Sequence, residues 1–575
     1  MSQTSLTSSR LRGVFSANLL SSGAIMVALV LLVPILMIPG LAWFVADDSA
    51  INGLSAGAAS VWLHLWQTVL GDYLFNSFAL MLGVGVGVLM LGVPAAWLTS
   101  RYEFPMRRAL SLLLLLPMAV PAYIIAYTYT GLLDFAGPIQ TAIREWTGLR
   151  YGQYWFPEVR SLGGAMVMLS LVLYPYVYLM SRAAFIVQPR HMFDAGRSLG
   201  MSPFQNFYRL ALPLARPAIV AGLSLALMET LADYGTVQYF GVSTFTTGIF
   251  RTFYGFGDTA AAAQLAMMLL GFVLTLLVIE KYSRRRIRYF SHAEQGQLQQ
   301  RESLTGWKRW LATLACVVPP LFGFLVPAAV LIGWSLQSEE LLSADFIQLT
   351  WNTFSLAGMA AVISVFLALV LAYAARSRPK GVVGWAVQLV SMGYALPGTI
   401  IAIGVMVCLI WVDHHWVVYL EQLFSVDLGL LLSGTLVALI FAYTIRFLAI
   451  SLGAVQSGLQ GIKPSLDQSA RSLGKSPIQT LRLIHIPLLK SSVLTALLIV
   501  FVDVLKELPA TLMLRPFNFN TLAVRAYEMA SDERLMDAAP ASMMIVLVGL
   551  IPVIWLNRSI ASMGKHQQTR EEAIA

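Results

Sequence analysis

The sequence predicts an all-α, polytopic membrane protein whose architecture is written twice, and three observations carry that prediction. Of 575 residues, 58% are hydrophobic and 12% are charged, against a charged share of about 25% in soluble proteins. Apolar runs long enough to cross a bilayer as helices, about 20 residues each, recur along the whole length. Displacing the chain by 274 residues lays Gly200 on Gly474 together with a long row of neighbours. The first two observations exclude a soluble enzyme.

The apolar runs lie near 24–45, 75–98, 109–131, 163–185, 217–237, 263–280, 311–335, 354–375, 383–411, 429–452, 491–508 and 538–556. The first, from Ser22 to Ala46 behind Arg10 and Arg12, is longer than a signal-peptide core and lacks a small-residue cleavage site, so it is expected to stay as an uncleaved span. An even number of spans puts both termini on one side. With that side cytoplasmic, most Lys and Arg fall inside and most Asp and Glu outside, the bias that orients short loops during insertion. The net charge of +9 therefore reflects topology, and no nucleic-acid partner is needed. Cys316 and Cys408 both fall within apolar runs, where core packing is expected rather than a disulfide or metal cluster.

The repeat divides the chain into a six-span half at 1–283, a basic connector at 284–309 containing Arg284, Arg285 and Arg286, and a second six-span half at 310–575. The connector is expected to be cytoplasmic and flexible. Under the same displacement Arg197 falls on Arg471, Ser202 on Ser476, Pro213 on Pro487, Glu229 on Asp503, Asp233 on Glu507 and Arg251 on Arg525. Six spans return the chain to its starting side, so the repeats are parallel, and a pathway commonly runs along the interface between such repeats. Pro121 and Pro397 also correspond and each should break a helix at membrane depth, as a packed kink or as a pathway-lining one.

Two inward loops, 186–216 and 453–490, share one local grammar. Gly200 and Gly474 suit the left-handed position that ends a helix. Ser202 and Ser476 then cap a second helix with Pro203 or Pro477 at its first position, and Gln205 or Gln479 completes a capping box. This second helix should end near Pro213 or Pro487. Ser469 to Ser476 falls one residue short of a phosphate-binding loop, lacks its first glycine and has no preceding strand, so the chain is expected to bind no nucleotide or other cofactor. Gly83, Gly85 and Gly87 suit close helix packing rather than a dinucleotide.

Glu229 and Asp233 lie four residues apart in the fifth span or its outer end, as do Asp503 and Glu507 in the eleventh, a spacing that should place each pair on one helical face at or near membrane depth. Carboxylates there normally face a cavity or a partner. Two readings stand side by side: four acids around a shared axis, offering oxygen ligands to a hard multivalent cation, or structural pairing with Lys506, Arg251 and Arg525.

The paired loops resemble the cytoplasmic loop of ABC-importer permeases, whose pattern is Glu-Ala-Ala, three residues, Gly, nine residues, Ile, one residue, Leu-Pro. The first copy supplies Asp194, Ala195, Gly196, Gly200, Leu210, Leu212 and Pro213; the second supplies Gln468, Ser469, Ala470, Gly474, Ile484, Ile486 and Pro487. The initial Glu is Asp194 in one and Gln468 in the other. Met228 to Val237 and Lys506 to Thr511 further resemble the fused permeases of bacterial ferric-iron importers, with related permeases moving thiamine, polyamines, sulfate or phosphonate.

The resemblance implies a type I importer permease fold in the bacterial inner membrane, with no enzymatic activity of its own. It also implies two copies of an ABC ATPase that hydrolyse ATP and dock on the loops. A periplasmic solute-binding protein would land on the outward segments 132–161, 238–262 and 509–536. Glu229, Asp233, Asp503 and Glu507 would then be transient ferric-ion contacts. A gradient-driven secondary transporter is the competing class, and it needs no pair of docking handles.

Overall fold

The computed structural model describes residues 21–40, 63–150, 152–285, 301–378, 381–425 and 429–572. Arg10 and Arg12, the end of the first apolar run, Tyr151, Arg286 and most of the connector lie outside these. The described chain is helical almost throughout. Ten helices are long and apolar enough to span a membrane, from Ser21–Gly40 to Leu535–Trp555, and the number rises to 12 if each of two bent pairs counts as one span. Every one of the twelve apolar runs coincides with such a helix, a bent pair, or, for the ninth, the helices Val382–Val390 and Gly398–Val412.

The breaks have identifiable causes. Pro121 and Pro397 have no N–H to donate, so the helix before each closes in a short tight turn, Leu116–Ala119 or Gly393–Ala395. Each proline then stands at the N-cap of the next helix, Ala122–Leu133 or Gly398–Val412. The first break turns the chain by 95°. Both prolines are buried, as a packed kink would be.

Two expectations about helix ends need correction. The second loop helix does not stop near Pro213: it continues from Pro203 to Ala232 through a widened turn at Phe207–Ala211. There the Leu212 N–H donates to the Phe207 carbonyl, five residues back, and Pro213 falls at the start of the helix that follows, where its missing donor is tolerated. The second copy makes the same widened turn at Leu481–His485 but then bends by 77° before Lys490–Leu505. The fifth run, expected to extend to 237, ends its helix at Ala232, because Asp233 is spent starting the next one.

The end of the connector that the structure describes is held in place. Its Glu302–Ser303 strand pairs in parallel with Tyr102–Glu103 at the C-terminal end of the helix Leu70–Arg101, and the Leu304 N–H donates to the Glu103 carbonyl at 3.1 Å.

By packing, the chain forms two compact units. One takes its described residues from Met1–Val61, Thr252–Met267 and Ile347–Val524; the other from Trp62–Arg251, Met268–Phe346 and Arg525–Ala575. Small residues set the helix approaches inside each. In the second unit Gly92 lies against the backbone at Tyr174 and Tyr178, and Gly323 against the Leu171 carbonyl; in the first, Gly404 lies against the Pro34 carbonyl. In lipid, where apolar helices gain little by leaving their solvent, such close backbone contact supplies the packing energy.

Candidate functional site

The loops at 186–216 and 453–490 are built alike, to the level of individual hydrogen bonds. The helix Arg190–Ser198 ends where Gly200 takes φ +77°, with the Met201 N–H donating to the Gly196 carbonyl at 2.9 Å and the Gly200 N–H to the Arg197 carbonyl at 2.8 Å. The helix Pro464–Ser472 ends at Gly474, φ +71°, with Lys475 N–H to Ala470 carbonyl at 3.0 Å. The Met201 and Lys475 bonds are 6→1 and satisfy carbonyls that the helix end leaves open. Both capping boxes form. The Gln205 N–H donates to Ser202 Oγ at 3.2 Å and the Gln479 N–H to Ser476 Oγ at 3.3 Å, while Gln205 Oε1 and Gln479 Oε1 accept from the Ser202 and Ser476 amides.

Small residues at Gly196 and Ala470 let the two arms of each bend close. A Cβ at Gly196 would press on Asn206 and on Leu210, and Ala470 is buried at the equivalent point. Leu199 and Leu473 occupy the tip of each bend, 79% and 77% exposed, and Phe204, Tyr208, Ile478 and Leu483 extend the apolar strip. A rigid bend that displays bulky apolar groups beside charged ones is suited to seating in a protein groove.

Three residues that sequence reasoning passed over hold the second loop to the membrane helices. Arg376, at the end of the helix Ala344–Ser377, donates to Asp467 Oδ2 from Nε at 3.0 Å and Nη2 at 2.8 Å, and to the Ile462 carbonyl at 2.9 Å. His485 Nε2 lies 2.8 Å from Asp467 Oδ1. A lone Asp one residue before the recognised motif carries no signal until its partner is seen.

The four membrane carboxylates divide by role. Asp233 accepts from the Thr236 and Val237 amides, each at 3.1 Å, and from Thr236 Oγ1 at 3.0 Å, capping the helix Gly235–Tyr239. Glu507 does the same for Pro509–Leu514, accepting from the Ala510 and Thr511 amides at 3.0 Å. Glu507 is 4% exposed and also pairs with Arg446 Nη1 at 3.0 Å, while Asp503 pairs with Lys506 at 2.8 Å. Lys506 thus serves Asp503, and Arg525 pairs with Glu340. Arg446 was legible only as a charge inside the apolar run 429–452. Among the described residues Glu229 carries neither a hydrogen bond nor an ion pair from its side chain. Glu229 and Asp233 belong to one compact unit, Asp503 and Glu507 to the other. No group of three or more His, Cys, Asp or Glu side chains among the described residues is placed to hold a metal ion.

On the segments 132–161 and 509–536, Trp146 and Trp155 are almost fully exposed, as is Phe517. Tyr154 is instead held in place, its hydroxyl donating to Gln140 Oε1 at 2.7 Å.

The family model of the binding-protein-dependent transport system inner membrane component matches twice, over residues 88–289 and 364–566. An Fe(3+)-transport system permease protein of Haemophilus influenzae is 26% identical over 86% of this chain and 91% of its own length. A ferric transport system permease protein of Actinobacillus pleuropneumoniae is 22% identical over 86% of this chain and 71% of its own. The molybdenum transport system permease protein of Escherichia coli, 24% identical, covers 38% of this chain and 93% of itself, so a single-repeat relative aligns with less than half of the sequence. With both halves matched, the chain belongs to the family of binding-protein-dependent transport system inner membrane components, as a multi-pass permease carrying two copies of the family's domain.

Proposed function

We propose that this permease moves ferric iron across the bacterial inner membrane, with both termini in the cytoplasm, as the membrane subunit of an ATP-driven importer. Two ABC ATPase copies grip the loops at 194–213 and 468–487, and a periplasmic binding protein delivers iron to the outward face. The observation that carries the importer reading is the duplicated bend, with the same left-handed glycine, capping box and exposed tip leucine in both halves. Ferric iron is favoured because two relatives that extend over most of the chain are named for it.

ATP is used by the partner and not by this chain. ATP binding must favour one conformation of the permease over the other by several kcal/mol to drive alternating access. By this reading the permease alternates between a conformation open outward and one open inward. Asp233 and Glu507 are tied to helix amides and Asp503 pairs with Lys506, so Glu229 has the most oxygen to lend to passing ferric ion, with Asp503, held by an ion pair and not by helix amides, next. Carboxylates on such a path disfavour an oxyanion cargo.

The test is uptake of radioactive iron into proteoliposomes containing the permease, its ATPase and its binding protein. Wild-type uptake requires ATP. The double variant Glu229→Gln, Asp503→Asn should retain ATPase stimulation and lose most uptake at limiting iron, on the order of tenfold for loss of two charged contacts. Unchanged uptake removes these side chains from the path; uptake without any ATPase removes the importer reading itself.

A further inference from the structure

The two loops are alike, but their attachments to the membrane helices are not. Arg376 and Arg101 stand at equivalent places, the inner ends of Ala344–Ser377 and Leu70–Arg101. Each reaches its own half's loop. Arg376 finds Asp467 there, in a two-pronged ion pair. Displaced by 274, Asp467 falls on Phe193, and the first loop's own carboxylate, Asp194, stands one residue further on. Arg101 instead lies over the Phe193 ring, its Cζ 4.2 Å from the centroid. A guanidinium that is 8% exposed needs a counter-charge, because an unpaired buried cation is costly.

The ion pair that Arg101 makes is with another part of the chain. Glu302 Oε1 lies 3.6 Å from Arg101 Nη2 and also pairs with Arg197, three residues before Gly200. The parallel pairing of Glu302–Ser303 with Tyr102–Glu103 fixes the backbone that presents it. One carboxylate therefore joins the inner end of a membrane helix to the loop helix Arg190–Ser198, as Asp467 joins Arg376 to Pro464–Ser472.

We infer that Glu302 is a positioning residue of the first ATPase-docking loop, a carboxylate lent by the inter-half connector to do for Arg101 what Asp467 does for Arg376. The inference rests on reading the loops as docking handles. Its consequence is mechanical: a handle transmits motion only as far as its joint is stiff, so loosening this joint lets ATP be hydrolysed without moving the helix. The connector is then a component of coupling in the first half, and the second half has no need of it.

The experiment uses the permease purified with its ATPase and supplied with binding protein. Glu302→Gln keeps shape and removes charge. Iron transported per ATP hydrolysed should fall about two- to fivefold, the range expected for a partly exposed ion pair, while the amount of ATPase co-purified stays constant. Asp467→Asn should give the same loss from the other half. Phe193→Asp, added to Glu302→Gln, should restore the ratio by giving Arg101 a carboxylate from the loop itself. Should that double variant fail to assemble, Glu302→Asp, which keeps the charge, must retain more coupling than Glu302→Gln. An unchanged ratio in Glu302→Gln, or equal losses in Glu302→Asp and Glu302→Gln, overturns the inference. Gly200→Trp separates the two readings: loss of ATPase there with normal coupling in Glu302→Gln leaves docking standing and Glu302 without its role, whereas ATPase retained at full level removes docking itself.

Discussion

Glu507 illustrates how one side chain takes on several obligations at membrane depth. Its two oxygens accept from Arg446, from the Ala510 and Thr511 amides and from Thr511 Oγ1 at 2.8 Å. Thr511 Oγ1 is in turn 2.6 Å from the Tyr443 hydroxyl, and a Cβ at Gly398 would intrude on Arg446, Glu507 and Ala510 together. The partners lose unequally. Glu507→Ala would strip the buried Arg446 of its counter-charge and the helix Pro509–Leu514 of its cap, a loss of roughly 3–5 kcal/mol. Arg446→Met leaves Glu507 with three remaining donors and should cost less than half of that. Thermal unfolding of the two variants in nanodiscs checks the order, and a larger loss for Arg446→Met would show that the cap contributes little. Asp233 caps its helix with no arginine beside it, so the same substitution there should be milder.

At the scale of the element, the duplicated bends were the most legible feature in the sequence, because their information is local. A glycine two residues ahead of Ser-Pro, with Gln three residues after the Ser, specifies a left-handed stop and a capped start whatever surrounds it. Span positions were legible for the same reason, since a run of apolar residues needs no partner to be recognised. What stayed hidden depends on residues far apart in sequence: Asp467 with Arg376, Glu302 with Arg101 and Arg197, Glu507 with Arg446. The helix continuing past Pro213 was hidden for a different reason, since the widened turn that absorbs the proline has no residue signature. Position 200 separates conformation from size. Nothing lies within 4 Å of a Cβ built at Gly200 or at Gly474, so a side chain there meets no neighbour and is opposed only by the backbone, at about 1–2 kcal/mol for an ordinary L-residue. Asn tolerates the left-handed region better than Ala. Gly200→Asn should therefore retain more co-purified ATPase than Gly200→Ala despite its greater bulk, and the opposite order would mean that the partner's groove, not the bend, requires glycine.

At the scale of the whole molecule, the sequence repeat and the packing units divide the chain differently. The unit holding most of the first repeat also contains Trp307–Gln337 and Leu535–Glu572, which belong to the second. Within it Gly131 lies against Trp334 and Leu535, Gly549 against the Ala119 carbonyl, and the Tyr129 hydroxyl donates to the Phe322 carbonyl at 2.6 Å. In the other unit Gly404, from the second repeat, lies against Pro34 and Ile38 of the first. Each repeat thus lends its opening span to the unit dominated by the other. These contacts involve glycines and carbonyls whose value lies in close approach, and lipid chains cannot reproduce it. A chain divided in the connector, as residues 1–295 and 296–575, keeps every one of these surfaces but loses the tether. Either piece expressed alone should accumulate several-fold less than the intact chain, since losses of 1–2 kcal/mol already change abundance on that scale. Expressed together, they should recover and co-purify, because Glu302 stays with the second piece and can still reach Arg101. Immunoblots of membranes from the three strains decide it: a first piece that accumulates alone to the level of the intact chain would mean that a repeat is self-sufficient and that the exchanged spans add little to its stability.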